Sequence, residues 1–192
     1  MGNAEMFIQT EETPNPQTLK FIPGKAVLGD KTAFFTNADE AEVSPLASAL
    51  FAIGEVKAIF FGGDFVTVTK DAEASWEIIK PLALTTIMEH YTSGNPIMLD
   101  EKKIEVSEKT YSEDEQKIVD EIKELIEARV RPAVAQDGGD IIFHSYEEGV
   151  VHLEMHGACA GCPSSTLTLK EGIENMLKHY IPEVVSVEPV AA

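Results

Sequence analysis

Both cysteines of this chain lie in one short motif, Cys159-Ala160-Gly161-Cys162, which is followed directly by Pro163. Cysteine thiolates are ligands for soft metal centres and are also the nucleophiles of thiol–disulfide chemistry. A chain of 192 residues that places its whole thiol content in one C-x-x-C, beside Gly157 and Gly161, is expected to display that motif as a site instead of burying it as packing. The sequence therefore indicates function at this loop.

Pro163 is a favoured first residue of a helix, which places Cys162 at or near the helix N-cap. The unpaired N–H groups and the positive end of the helix dipole favour an anion there, so thiolate formation is assisted. Bringing a thiol to its thiolate near neutral pH requires about 2 kcal/mol, the upper limit of what one helix terminus provides. A bound metal would supply the largest part of the remaining free energy of thiolate formation.

The segment from Met155 to Leu169 contains no Asp, Glu, Lys or Arg, although charged residues make up 25% of the chain. This composition indicates a site without carboxylates, whose charge would repel an anionic thiolate-ligated metal cluster at short range. A loop followed by a buried helix face would have the same composition. The two thiols decide in favour of a site.

One C-x-x-C supplies two sulfur ligands, whereas structural zinc sites and iron–sulfur clusters take four protein ligands. The missing ligands could come from a second copy of the chain across a two-fold axis, or in part from His156. If Val151, Leu153 and Met155 face the core, strand alternation places His156 on the solvent side. We therefore do not count His156 as a ligand.

The sequence Asp137-Gly138-Gly139-Asp140 could suggest a cation-binding loop. Its two carboxylates fall short of the oxygen ligands that calcium requires, so we expect a turn.

Around these residues the chain divides into two blocks. In the first, alternation over Leu19-Lys20-Phe21 predicts a strand, and Val56 to Phe61 and Phe65 to Thr69 predict a hairpin whose Gly62-Gly63-Asp64 turn supplies positive φ angles. A helix after the cap candidate Ser75 follows, with apolar residues at helical spacing and a bend at Pro81.

The second block begins with a capping box, Ser112 and Glu115, and a helix predicted to run up to Pro132. Two strands, Ile141 to Tyr146 and Val150 to Met155, then precede the segment with Cys159 and Cys162, here called the thiol loop. A further helix and a closing strand follow it. Strands and helices without regular βαβ alternation predict two small α+β domains joined by a flexible linker. We expect the first domain at residues 1–92, the linker at 93–111 and the second domain at 112–192.

The formal charge is −18, from 33 acidic and 15 basic residues. A chain so acidic is repelled by phosphate backbones and anionic lipid surfaces, so we expect neither nucleic acid nor membrane as a partner. No apolar run approaches the roughly 20 residues of a membrane span, and no secretory or transit pattern is evident at the N-terminus. Two cysteines three residues apart are typical of a reducing compartment.

The stretch Asp137-Gly138-Gly139-Asp140-Ile141, followed by Gly157-Ala158-Cys159-Ala160-Gly161-Cys162-Pro163-Ser164-Ser165 and Thr168-Leu169-Lys170, resembles the C-terminal domain of NifU-like proteins. The first block, with Thr13-Pro14-Asn15-Pro16 and Phe61-Gly62-Gly63-Asp64-Phe65, is similar to the N-terminal domain of Nfu-type iron–sulfur scaffold proteins. Together the two resemblances cover nearly the whole chain.

This resemblance implies a [4Fe-4S] cluster bridging two subunits and bound by Cys159 and Cys162 of each. It also implies a carrier and not an enzyme, with a second copy of itself, an upstream cluster donor and apo iron–sulfur client proteins as partners. We expect the bacterial cytoplasm, or an organelle matrix if a presequence has been removed.

Two alternatives stay open. A thiol–disulfide oxidoreductase would cycle Cys159 and Cys162 between dithiol and disulfide, although C-x-x-C in that role is expected near a βαβ pattern, which the second block lacks. A structural zinc dimer would use the same four thiolates.

Overall fold

The computed structural model describes residues 7–99, 110–160 and 163–190. The chain forms two compact units, Met1–Lys102 and Lys103–Ala192, each with its own sheet and its own apolar core. Both units combine helices with a sheet, which confirms the predicted fold class of two small α+β domains. The predicted boundaries at residues 92 and 112 stay predictions.

The first unit is an antiparallel sheet of strand order β1-β2-β5-β4-β3, with helices packed against an apolar core. Its described elements are β1 Gln9–Glu12, β2 Thr18–Ile22, β3 Ala33–Phe35, α1 Ala38–Ala41, α2 Pro45–Phe51, β4 Val56–Phe61, β5 Val66–Lys70 and α3 Trp76–Ser93. The predicted hairpin is confirmed as β4 and β5, and the helix after Ser75 is confirmed as α3, which continues through Pro81.

The hairpin turn requires glycine for a reason other than the predicted one. Gly62 and Gly63 do not have positive φ angles. A Cβ on Gly62 would instead lie 2.4 Å from the Phe65 ring, and a Cβ on Gly63 would lie 2.5 Å from the Gly29 carbonyl oxygen. Close approach, and not backbone conformation, excludes a side chain at both positions.

Helix α2 is absent from the sequence predictions, although its start carries a recognisable signal. Ser44 is the N-cap, with its Oγ accepting a hydrogen bond from the Ala47 N–H at 3.2 Å, and Pro45 is in the first turn. The Ser44 Oγ also donates to the Ile97 carbonyl oxygen, and the Leu99 N–H donates to the Val43 carbonyl oxygen at 2.8 Å. The segment after α3 is thereby fixed to the first unit.

The second unit is a three-stranded sheet of order β6-β7-β8, in which β6 and β7 are antiparallel and β7 and β8 are parallel. Its described elements are α4 Glu113–Leu125, a π-helical segment Ile126–Val130, α5 Arg131–Gln136, β6 Gly139–Glu147, β7 Val150–Gly157, α6 Pro163–Tyr180 and β8 Ser186–Val190. The predicted capping box is confirmed, because the Ser112 and Glu115 side chains each accept a hydrogen bond from the other residue's backbone N–H.

The first helix of this unit was predicted to run up to Pro132, but it does not end there. It passes through the π-helical segment and continues as α5, with Pro132 in the first turn of α5. A proline lacks an N–H to donate, so it is tolerated in the first turn of a helix. The π segment changes the hydrogen-bonding pattern before Arg131, so that Pro132 lies in the first turn of the α-helix that follows. Val130 and Val134 are buried in the core on either side of the half-buried Arg131.

Within the described part of the chain, none of the helices combines the length and apolarity required to cross a lipid bilayer.

Candidate functional site

The thiol loop is held between the start of β6 and the first turns of α6. Strand β7 ends at Gly157, whose φ of +63° turns the chain away from the sheet. The Ala158 N–H then donates to the Gly138 carbonyl oxygen at 3.1 Å, and Thr166 Oγ1, on α6, donates to the Cys159 carbonyl oxygen at 3.2 Å. The backbone of Cys159 is therefore fixed from both sides.

Cys159 is buried, with 6% of its surface exposed, so the expectation that it is displayed was wrong. Gly139, which pairs with Gly157 across β6 and β7, leaves room for the thiol. A Cβ on Gly139 would lie 2.4 Å from the Cys159 Sγ, so the thiol occupies the space that a side chain at residue 139 would fill. Cys162 lies outside the described residues, and its predicted place at the helix N-cap stays a prediction.

Burial is the main cause that raises the pKa of the Cys159 thiol to about 12, and the charges of Asp137 and Asp140 contribute to the same shift. The interpretation of a site without carboxylates was therefore wrong. The sequence window is free of acids, but the turn before β6 brings two of them towards the thiol. Since the thiolate is the metal ligand, a metal bound here must supply the free energy of deprotonation.

The buried carboxylate of Asp140 forms an ion pair with Arg131. Arg131 donates from Nε to Asp140 Oδ1 at 2.8 Å and from Nη2 to Oδ2 at 2.9 Å, and Nη1 donates to Glu127 Oε2 at 2.7 Å. These contacts, with Asp140 first, raise the pKa of the Arg131 guanidinium above its ordinary value. No sequence signal predicts this pair, because no helical or strand spacing relates a residue on α5 to one nine positions later on β6.

The prediction that His156 faces solvent was wrong, because it is buried, with 9% of its surface exposed. Alternation along β7 fails at its last residues, where His156 lies opposite the buried Asp140. Its Nε2 lies 3.3 Å from Glu154 Oε2, and His144 Nδ1 lies 2.9 Å from Glu154 Oε1. Burial lowers the pKa of His156, and pairing with Glu154 opposes that shift.

The sequence Asp137-Gly138-Gly139-Asp140 forms the predicted turn, in which Gly138 has a φ of +80° and its N–H donates to the Ala135 carbonyl oxygen. Among the described residues, no group of three or more His, Cys, Asp or Glu side chains is arranged to hold a metal ion. Cys159 therefore supplies one soft ligand, whose Sγ occupies the space beside Gly139.

Two family models match the chain. The model described as "Scaffold protein Nfu/NifU N terminal" matches residues 8–94, and the model described as "NifU-like domain" matches residues 122–188, which include the thiol loop. The two matches follow the two structural units. The chain belongs to the Nfu/NifU family.

Among its relatives is "NifU-like protein 4, mitochondrial" of Arabidopsis thaliana, 51% identical over 95% of this chain and 65% of that protein. Another is "NFU1 iron-sulfur cluster scaffold homolog, mitochondrial" of Drosophila persimilis, 49% identical over 99% of this chain and 67% of that protein. The chain thus spans about two thirds of the length of these relatives. A solution NMR structure of a NifU-like protein from Saccharomyces cerevisiae is 28% identical, with a TM-score of 0.47 over 53% of this chain and 92% of that one.

Proposed function

We propose that this protein is an iron–sulfur cluster scaffold that holds a [4Fe-4S] cluster between two copies of the chain and passes it to apo-proteins. The observation that carries the proposal is the single C-x-x-C, two of the four thiolates that a cluster requires, in the region matched by the NifU-like model. Cys159 and Cys162 of each copy are the proposed ligands. The names of relatives as iron–sulfur cluster scaffolds support the same assignment.

The cluster is cargo in this proposal, and no catalytic residue is assigned. When a recipient cysteine displaces Cys159, one iron–sulfur bond forms as another breaks, and the proton that leaves the recipient thiol is balanced by the proton that Cys159 takes up. Burial favours the protonated form of Cys159 once it has left the metal, as its raised pKa indicates. The buried thiol thereby favours release.

The proposed partners follow from the same chemistry. A second copy completes the ligand set, an upstream donor supplies the cluster, and apo iron–sulfur proteins receive it. The relatives named above are mitochondrial proteins, which favours the organelle matrix of the two expected compartments and gives no support to the bacterial cytoplasm.

The alternative of a thiol–disulfide oxidoreductase gains no support. Its attacking cysteine must be accessible and readily deprotonated, whereas Cys159 is buried and its pKa is raised to about 12. A structural zinc dimer would share the four thiolates but would make folding of the second unit depend on the metal.

Anaerobic reconstitution with iron and sulfide tests the proposal. We expect a brown dimer with four iron atoms per two chains, an absorption band typical of a [4Fe-4S] cluster, and transfer of that cluster to an apo-ferredoxin. Cys159→Ala and Cys162→Ala should each abolish loading. Retention of full iron by isolated monomers, or by either variant, would contradict the proposal.

Zinc in place of iron would indicate the structural alternative. Catalytic reduction of a test disulfide by the colourless protein would indicate the oxidoreductase. Each of the three functions therefore gives a different result with the same preparation.

A further inference from the structure

The ion pair of Arg131 and Asp140 lies at the end of the sheet where the thiol loop begins. Asp140 is 3% exposed, and besides the two bonds from Arg131 its Oδ1 accepts from the Ile141 backbone N–H at 2.8 Å. A buried carboxylate carries a large desolvation cost, which a bidentate guanidinium offsets. The pair is thus a fixed, directed interaction and not an exposed surface bridge.

Asp140 is coupled to the thiol loop by position and by charge. Its neighbour Gly139 is the residue whose Cα faces the Cys159 Sγ, and its partner across the sheet, His156, is three residues before Cys159. A buried negative charge beside the thiol loop opposes a second negative charge in that loop.

We propose, on the basis of the scaffold function proposed above, that Arg131 is a positioning residue whose guanidinium balances the charge of Asp140 and lets the adjacent loop hold an anionic thiolate-ligated cluster. The π-helical segment Ile126–Val130 ends at Arg131, and such segments are frequent at functional sites. Glu127, the second partner of Arg131, is 69% exposed at its side chain, so solvent screens its charge.

The alternative is that the ion pair contributes only to folding. Both roles predict that removal of Arg131 weakens the second unit, because an unpaired buried carboxylate is costly. They differ in the sign of the electrostatic effect on a loaded cluster, since net charge near a cluster sets its reduction potential. Loss of the cation should make the cluster harder to reduce, and loss of the anion should make it easier.

The experiment compares reduction potentials of reconstituted protein by anaerobic titration with dithionite. The variants are Arg131→Lys, Arg131→Gln, Asp140→Asn and the double variant Arg131→Gln/Asp140→Asn, with Asp137→Asn as the control. Asp137 is an exposed acid of the same turn. The unfolding midpoint of each cluster-free variant is measured in parallel.

We expect a more negative potential for Arg131→Gln, a less negative one for Asp140→Asn, and values near that of the unsubstituted protein for Arg131→Lys and the double variant. Asp137→Asn should also give a less negative potential while the Arg131–Asp140 pair stays intact, which shows that the measurement responds to charge in this turn. If Arg131→Gln fails to fold, the opposite shift in Asp140→Asn and its cancellation in the double variant still test the proposal. Equal potentials in all folded variants would overturn it, whatever their unfolding midpoints. Failure of the unsubstituted chain to bind a cluster would instead contradict the scaffold function itself.

Discussion

The two units bury polar groups in different ways. In the first unit, buried polar side chains such as Thr18 and Ser44 are spread over the structure and bonded in pairs or caps: Thr18 Oγ1 lies 2.8 Å from Thr69 Oγ1, and Ser44 caps α2. In the second unit, Asp140, His156 and Cys159 are buried at one end of the sheet. The first unit also buries Lys20, Lys70 and His90, but on separate elements, whereas the second concentrates ionisable groups around one loop.

This difference indicates where stability and function are separable. Burying ionisable groups is unfavourable unless each has a compensating partner. The second unit accepts that cost at the thiol loop, and the first unit has no cysteine at all. Equivalent disturbances in the two units should therefore affect stability alike and cluster loading differently.

Substitution of glycines at close contacts gives the largest expected contrast. Gly139→Ala places a Cβ 2.4 Å from the Cys159 Sγ and 2.8 Å from the His156 carbonyl oxygen, while Gly63→Ala places one 2.5 Å from the Gly29 carbonyl oxygen. Each should destabilise its own unit by about 1–3 kcal/mol, because a well-packed interior resists added volume. Only Gly139→Ala should reduce iron loading. Chemical denaturation and iron content measure the two effects.

Gly172→Ala is the matched control within the second unit. Gly172 lies on α6, and an added Cβ there would meet nothing within 4 Å. Alanine should stabilise the helix by about 0.5–1 kcal/mol and leave loading unchanged. A loss of loading in Gly63→Ala equal to that in Gly139→Ala would remove the distinction between the units.

Local sequence signals predicted several elements of both units. Runs of β-branched and aromatic residues predicted β4 and β5, two further strands were predicted where β6 and β7 lie, and the capping box at Ser112 marked the start of α4. Helix α2 carries an equally local signal, Ser44-Pro45, since a serine N-cap followed by a proline in the first turn is a favoured helix start. Features set by neighbouring residues along the chain could therefore be predicted.

The environment of the thiol depends on contacts that no local pattern encodes. The Cys159 thiol occupies the space that Gly139 leaves on β6, and Asp140 pairs with Arg131, which directly follows the π-helical segment. His156 breaks the alternation of its strand and lies opposite the buried Asp140. Each of these depends on tertiary packing, which overrides the strand and helix periods.

Protonation of His90 should lower the stability of the first unit at acid pH. Burial lowers the pKa of His90 on α3, and its Nε2 has no hydrogen-bond partner among the described residues. Folding therefore favours the neutral ring, so stability is present above the unfolded pKa of about 6.5 and falls as pH drops below it, by at most about 1.4 kcal/mol per pH unit. Denaturation at pH 7.5 and 5.5, followed by fluorescence of Trp76, the single tryptophan, reports this unit.

His90→Leu removes the titrating ring from the same position. The variant should lose less stability than the unsubstituted chain between the two pH values, even if its stability at pH 7.5 is lower. An identical loss in both proteins would show that other groups determine the acid sensitivity of the first unit.

Two helix caps allow a buried cap to be compared with an exposed one. Ser112 is exposed, and Ser112→Ala should cost the second unit about 0.5–1 kcal/mol through loss of the capping box. Ser44 is fully buried and also donates to the Ile97 carbonyl oxygen, so Ser44→Ala removes two hydrogen bonds from the first unit. We expect that cost to be about 2 kcal/mol, because the carbonyl and N–H left behind lose their partner without access to water. Trp76 fluorescence follows unfolding of the first unit, and far-UV circular dichroism follows unfolding of both units. The control is Thr36→Ala, near the exposed start of α1, which removes a surface hydroxyl. Equal costs at Ser44 and Ser112 would mean that burial of the first cap adds nothing, and that the segment after α3 is held to the first unit by its other contacts, among them the hydrogen bond from the Leu99 N–H to the Val43 carbonyl oxygen.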